Sequence, residues 1–242
     1  MSCFVSSRQQ LEYFCLPDES PQHYASFVTA CHNFLLDYGL NPANLRLNAY
    51  TTGLAHYSLA TTDIEYKFPF GWGELWGVAN RGDYDLRQHG VGLTAIVDDA
   101  RRALGPTAKI PAPPAGRDLP HTVEPSVGVD RLFMALLADG WREESVTRMR
   151  NGEVTVSKRT VFSVHQELAP YRVAVIPSKS DAAVKDAAAA LHGRLAKHVS
   201  TALDVTGTLG KRYKRHDEIG TPYIVTIDPE TYVTPLNFTA LH

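Results

Sequence analysis

The chain has 242 residues, 44% of them hydrophobic and 21% charged, with a formal net charge of −2. That composition suits one large or two modest globular domains and gives no global attraction to nucleic acid or to an acidic membrane surface. Any RNA contact must therefore come from a local patch.

The N-terminal stretch MSCFVSSRQQ lacks the apolar core of a signal peptide. No apolar run approaches the ~18 residues of a membrane span. The expected place is the cytoplasm, or an organelle after loss of a transit peptide. Cys3, Cys15 and Cys31 make no C-x-x-C pair, so reduced thiols are expected and no metal site.

Residues 3–15 read as a strand. Gln10, Glu12 and Phe14 alternate with Leu11, Tyr13 and Cys15. Ser20 and Pro21 open a helix whose apolar positions Tyr24, Phe27, Val28, Cys31, Phe34 and Leu35 recur at helical spacing until Gly39 ends it. A short strand over 44–48 follows, and Leu54 to Thr61 is expected to be helical. Strands at 62–66 and 73–80 hinge on the Phe-Pro-Phe-Gly turn. The proline-rich GPTAKIPAPPAGRDLP makes residues 90–120 read as a surface excursion without long regular structure.

A strand at 121–126 and a helix at 129–140 come next, then a polar hairpin or linker over 141–160. From about Ala169 the pattern alternates: strand YRVAVIPS, an alanine-rich helix over 179–199, strand TALDVTG, helix LGKRYKRHDEIG and strand TPYIVTIDP. That alternation predicts a wound α/β sheet.

Two blocks carry the chemistry: TTDIEYKFPFGWGELWGVANRGDYDL at 61–86 and HTVEPSVGVDRLFMALL at 121–137. With ELAPYRVAVIP and GKRYKRHDEIGTPYIVTID they resemble, in order, the C-terminal half of the glycyl-tRNA synthetases, class II aminoacyl-tRNA synthetases. The resemblance covers the chain apart from residues 90–120 and the last dozen. It implies a partial antiparallel catalytic-type domain over 1–160 and an anticodon-binding-type α/β domain over 161–242.

The resemblance also implies site roles. Arg131 of GVDR meets the ATP tail or stacks over adenine, which needs a permanent planar cation. Glu74 of GELWG and Ser126 of EPSVG hold the substrate ammonium, and Glu124 faces ATP-borne magnesium. RQQLEYFC matches the return strand of motif 2, with Gln10 where the family has a glutamate. Trp76 is expected to share the face of Glu74 and narrow its pocket. Lys211, Arg212, Lys214 and Arg215 are expected near RNA phosphates.

Motif 1 and the outgoing motif 2 strand, with its arginine for the α-phosphate, are not recognisable. The implied function is ATP- and magnesium-dependent charging of tRNA with glycine when the remaining half is supplied. The alternative is a non-catalytic accessory or nucleic-acid-binding subunit. Without its hairpin partner the strand at 3–15 should be covered by a second polypeptide or another copy of the chain.

Overall fold

The computed structural model describes residues 7–90, 93–105, 119–150 and 153–230. It divides into two compact units, Met1–Ala135 and Leu136–His242. The boundary expected at residue 160 falls inside the second unit.

The first unit is built on a six-stranded sheet. Its strands are β1 (Arg8–Gln10), β2 (Tyr13–Cys15), β3 (Leu45–Ala49), β4 (Ala60–Phe68), β5 (Gly71–Gly82) and β6 (His121–Gly128). The order is β1-β6-β5-β4-β3, with β2 also on β6, and every pairing is antiparallel. β1 and β2 continue one strand: Gln10 faces Ser126 and Tyr13 faces Val123, with the Leu11 amide donating to the Pro125 carbonyl between them. Its other edge meets no strand among the described residues.

Helix α1 (Ser20–Asp37) packs on one sheet face. Leu35, Ile64, Val78 and Val123 are fully buried. Polar ties fix the helix over the strands. Tyr24 and Thr62 share a hydrogen bond of 2.5 Å, and Ser20 Oγ meets His121 Nδ1 at 2.8 Å and accepts from Asn80 Nδ2 at 3.1 Å. Ser20, Thr62 and Asn80, all buried, thus have partners, as burial demands, whereas the buried Trp76 indole nitrogen on this side of the sheet has none. The other sheet face carries the polar row described below.

Two expectations for this unit fail. Residues 54–59 form an irregular loop, not a helix. Gly53 has φ +72°, and the loop is captured by the sheet: the Leu59 amide donates to the Asn80 carbonyl at 2.7 Å. After the short helix α2 (Tyr84–Gln88), the supposed excursion begins with a regular helix, α3 (Leu93–Leu104). The prolines start only at Pro106, so they do not touch a segment rich in Ala, Leu and Arg. Residues 106–118 lie outside the described residues.

Helix α4 (Val129–Gly140) follows β6 directly and leads into a long hairpin of β7 (Trp141–Arg150) and β8 (Glu153–Phe162). The polar hairpin expected at 141–160 is therefore regular sheet. β9 (Val173–Pro177), α5 (Ala182–Leu195), β10 (Thr201–Leu203), α6 (Leu209–Ile219) and β11 (Tyr223–Ile227) form a parallel sheet in the order β10-β9-β11.

Its two faces are covered by different helices. Val175, Val225 and Ile227 pack with Val184, Ala188 and Leu191 of α5, while Ala174, Ile176 and Ile224 pack with Leu209 and Tyr213 of α6. A parallel sheet buried on both faces explains why YRVAVIPS and TPYIVTIDP read as apolar runs. Gly220, in the left-handed region at φ +73°, ends α6 where a Cβ would stand 2.9 Å from the Phe162 ring. Only glycine satisfies both demands.

Candidate functional site

Cross-strand pairing sets one row of residues across the open face of the first sheet. Gln10 faces Ser126, Ser126 faces Gly77, Gly77 faces Asp63 and Asp63 faces Asn48. Directly opposed residues of antiparallel strands share a face. Gly77 is the gap in this row. A Cβ there would lie 3.3 Å from Glu74 Oε1 and 3.5 Å from Asp63 Oδ1. Two carboxylates therefore border one small space, with Ser126 on the neighbouring strand.

Glu74 reaches that space because β5 is irregular. Ile64 pairs with Trp76 and Glu65 pairs with Glu74, so Leu75 is an extra residue, a β-bulge. The bulge reverses the expected geometry of Trp76. Its ring packs edge-on against Phe34 of α1, with centroids 5.6 Å apart. Trp76 is thus part of the α1 side of the sheet, and its expected place in the amino-acid pocket is corrected.

The electrostatics of the space follow from burial. Asp63 is 8% exposed, and burial raises its pKa, partly offset by a hydrogen bond of 2.7 Å from the Tyr50 hydroxyl. The same bond pushes Tyr50 up to about 12. A carboxylate held partly desolvated beside a second one disfavours its own charge and favours an incoming cation. Asp63 and Tyr50 were not among the expected site residues. The alternation in TTDIEY was the available signal, since it places Asp63 on the face opposite Ile64.

Gln10 ends the row, and Glu124 lies next to it. Gln10 Nε2 donates to Glu124 Oε1 at 2.6 Å and to Glu12 Oε1 at 2.8 Å. Glu124 is buried, and its other oxygen takes 2.5 Å from Arg81 Nη1. Arg81 grips Asp85 through Nε and Nη2 at 2.6 and 2.9 Å. With both oxygens engaged, Glu124 is a structural acceptor, and the expected magnesium-facing role does not fit it. Arg81 was missed, although its i, i+4 spacing to Asp85 in RGDYD was readable.

Arg131 stands at the start of α4. Its Nη1 donates to the backbone carbonyl of Glu74 at 2.7 Å, and the side chain stays exposed. Glu74, Ser126, Gln10 and Arg131 therefore lie in one neighbourhood of the first unit, with Glu74 touched through its main chain.

The basic run on α6 divides. Arg212 is 3% exposed and donates to three carbonyls: Pro177, Val205 at 3.0 Å and Gly207 at 2.9 Å. It holds the ends of β9 and the 205–207 loop together and cannot reach a phosphate, which corrects its expected RNA role. Arg215 forks onto Asp204 at 2.6–3.0 Å. Lys211 is exposed, and Lys214 sits 3.6 Å from Glu218 on the surface.

An antiparallel sheet with a helix on one face and a polar row on the other, joined in one chain to a small parallel α/β domain, is the architecture of a class II aminoacyl-tRNA synthetase. The fold matches that of Giardia lamblia prolyl-tRNA synthetase in complex with prolyl-adenylate. The TM-score is 0.60 at 10% identity, covering 92% of this chain and 40% of that one. Residues 172–234 match the family described as anticodon binding domain.

Within that class the chain is related to glycine–tRNA ligases and resembles their C-terminal half. It is 41% identical over 225 residues to the enzyme of Geobacillus thermodenitrificans, covering 93% of this chain and 44% of that protein. It is 39% identical over 229 residues to that of Clostridium perfringens, at 93% and 45%. The chain spans less than half the length of these curated relatives. No helix among the described residues is long and apolar enough to cross a membrane.

Proposed function

We propose that this chain supplies the amino-acid-contacting wall of a glycine-activating site together with an RNA-contacting domain. ATP-dependent charging of tRNA with glycine then proceeds when a second segment or polypeptide brings the arginine for the α-phosphate. The observation that carries this reading is the pair Glu74 and Asp63 around the Cβ-less position of Gly77. Two carboxylates 3–4 Å from one vacant methyl position suit a small ammonium.

In this reading Glu74, Asp63 and Ser126 hold the substrate ammonium, and Gln10 forms the side wall. Arg131, anchored on the Glu74 carbonyl, turns its remaining nitrogens to phosphate or stacks on adenine. The residues present fit a nucleotide at Arg131. They do not fit a protein-held magnesium at Glu124, so the metal comes with ATP. Lys211 and Lys214 on α6 meet RNA phosphates. The protein works in the cytoplasm, as an oligomer or with a partner that covers the edge of β1 and β2 at residues 8–15.

The accessory-subunit reading rests on a different observation: Gln10 already spends its amide on Glu12 and Glu124. A neutral side chain committed in this way adds no charge to an amino-acid site.

Glycine-dependent ATP–pyrophosphate exchange tests the proposal. The purified chain alone should show almost none, because one missing preorganised charge costs ~10²–10³ in rate. Adding the remaining portion of a relative should restore it. Vigorous exchange by the chain alone overturns the need for a second component. Failure of the chain to bind glycine in any mixture favours the accessory role.

A further inference from the structure

A second pocket of about 190 Å³ lies beside the polar row, where the 53–59 loop meets the end of β5 and the start of α2. Three rings gather in it. His56 sits 5.3 Å from Tyr57 and 5.2 Å from Tyr84, and the two tyrosines are 6.4 Å apart. Arg81 and Arg87 complete the wall with Asp83.

The pocket is preformed. Ser58 Oγ ties the loop to the Ala60 carbonyl, to Thr61 and to the Asn80 carbonyl at 2.8, 2.8 and 3.2 Å. Gly82, at φ +59°, lets Leu59 close in: a Cβ there would lie 2.9 Å from the Leu59 side chain. The Arg81 guanidinium, held by Asp85 and Glu124, has its central carbon 4.2 Å over the Tyr57 ring. Groups fixed before binding lose little entropy on binding.

Size and charge select the ligand. A cavity of roughly 150 Å³ takes a benzene ring, and drug-sized ligands need about 300 Å³ or more. The space fits one heteroaromatic ring system. Arg81 is engaged by Asp85 and Glu124, which leaves the three rings and the exposed guanidinium of Arg87, paired on one side with Asp83, to meet a ligand. They suit a flat base with a phosphate, since bases stack on aromatic rings irrespective of sequence and guanidinium pairs with phosphate.

We propose that this pocket binds a single nucleotide, its base against Tyr57, Tyr84 and His56 and its phosphate at Arg87 on the rim. The Arg87 side chain is 68% exposed and held from one side by Asp83. The site is separate from the Arg131 neighbourhood and does not depend on the glycine reading. The contact Tyr57–Arg81–Glu124–Gln10 connects it to the polar row. A nucleotide stacked here therefore bears on the group that fixes Glu124.

The test is equilibrium binding of AMP, adenosine and a single-stranded RNA tetramer to the full chain and its variants, with circular dichroism confirming the fold. Tyr84→Ala should weaken all three probes about ten-fold or more, while Tyr84→Phe keeps them. Arg87→Ala should weaken AMP and the tetramer, leave adenosine unchanged and lower the salt slope by about one. In an Arg131→Ala background, which removes any adenosine held at the first site, saturable adenosine binding should remain and should still fall about ten-fold or more with Tyr84→Ala. If Tyr84→Ala does not fold, the exposed Arg87→Ala decides. A tetramer that outbinds AMP and is weakened by a 3′-phosphate identifies a strand terminus as the ligand, whereas equal affinities identify a free nucleotide. Absence of saturable binding, or binding lost with Arg131→Ala but untouched by Tyr84→Ala and Arg87→Ala, overturns the proposal.

Discussion

Glu74 and Trp76, two residues apart on β5, point to opposite faces of the sheet. Strand alternation alone places them together, and the bulged Leu75 separates them. The carboxylate joins Asp63 at the Gly77 gap, and the indole packs on Phe34. Substitutions at adjacent positions should therefore part cleanly. Trp76→Ala should destabilise the first unit by about 3 kcal/mol, the lower end for a large aromatic packed in a core, with glycine affinity kept in the folded fraction. Gly77→Ala should leave the denaturation midpoint nearly unchanged, since the tight contact, 3.3 Å to Glu74 Oε1, is with the end of a flexible side chain that can give by a few tenths of an ångström, and abolish binding of a small ammonium. Chemical denaturation and calorimetric titration with glycine separate the two. Equal loss of glycine binding in both variants would contradict the face assignment.

Asp63 and Tyr50 make the site sensitive to pH in a defined direction. The folded pKa of Tyr50 is raised to about 12 by its hydrogen bond to Asp63. The stability this bond contributes is therefore present below pH 10 and lost as the pH climbs through about 12. Absorbance titration of the phenolates should lose a component near pH 12 in Tyr50→Phe. Asp63 is raised as well, chiefly by burial. Its ionised form is thus disfavoured in the fold, and that part of the stability is lost as the pH rises through its folded value. Asp63→Asn should then raise the melting temperature at pH 7 slightly while weakening glycine binding, a trade expected where function keeps a strained charge. A lower melting temperature with unchanged binding would assign Asp63 a purely structural role.

Arg212 and its helical neighbours should respond in opposite ways. Removing its guanidinium leaves the carbonyls of Pro177, Val205 and Gly207 without that donor. Only the Pro177 carbonyl is left buried without that donor, at about 1–3 kcal/mol, so Arg212→Ala, which also empties the space of a buried side chain, should destabilise the second unit by about 2 kcal/mol or more. Lys211→Ala and Lys214→Ala should barely move stability and should each lower the salt slope of RNA binding by about one. Urea unfolding and fluorescence anisotropy across a salt series distinguish these effects. A stable Arg212→Ala chain with selectively weakened RNA binding would restore the surface role.

The sequence was most legible where local pattern and tertiary demand agree. The helix from Ser20, the hairpin around Phe70 and the five alternating elements after Val173 follow from apolar periodicity and turn residues. It was least legible where one residue changes register or a distant strand captures a loop. Nothing in GELWG announces that Leu75 bulges, because the bulge is set by pairing with Ile64 and Glu65 on β4. The 54–59 segment has helix-compatible residues, yet Asn80 takes its hydrogen bonds. Arg212 looks solvent-bound in KRYKRH, and only the fold supplies the three carbonyls that bury it.

The outer edge of β1 and β2 carries the last prediction. Its backbone groups face no strand among the described residues, and Leu11 and Phe14 are about half exposed, one on each face. Unpaired strand edges recruit further strands because their amides and carbonyls need partners. Charge guides the choice of partner on the Phe14 face: Glu12 stands there, its pKa raised mainly by burial, beside buried Glu124. A covering strand should present a cationic or amide side chain to Glu12. The purified chain should therefore associate at tens of micromolar in sedimentation, and the amides of residues 8–15 should gain hydrogen-exchange protection as it does. Leu11→Lys should weaken that association without changing the melting temperature by more than a few degrees. A monomer at every concentration, with the same amides already protected, would show that the chain covers this edge itself.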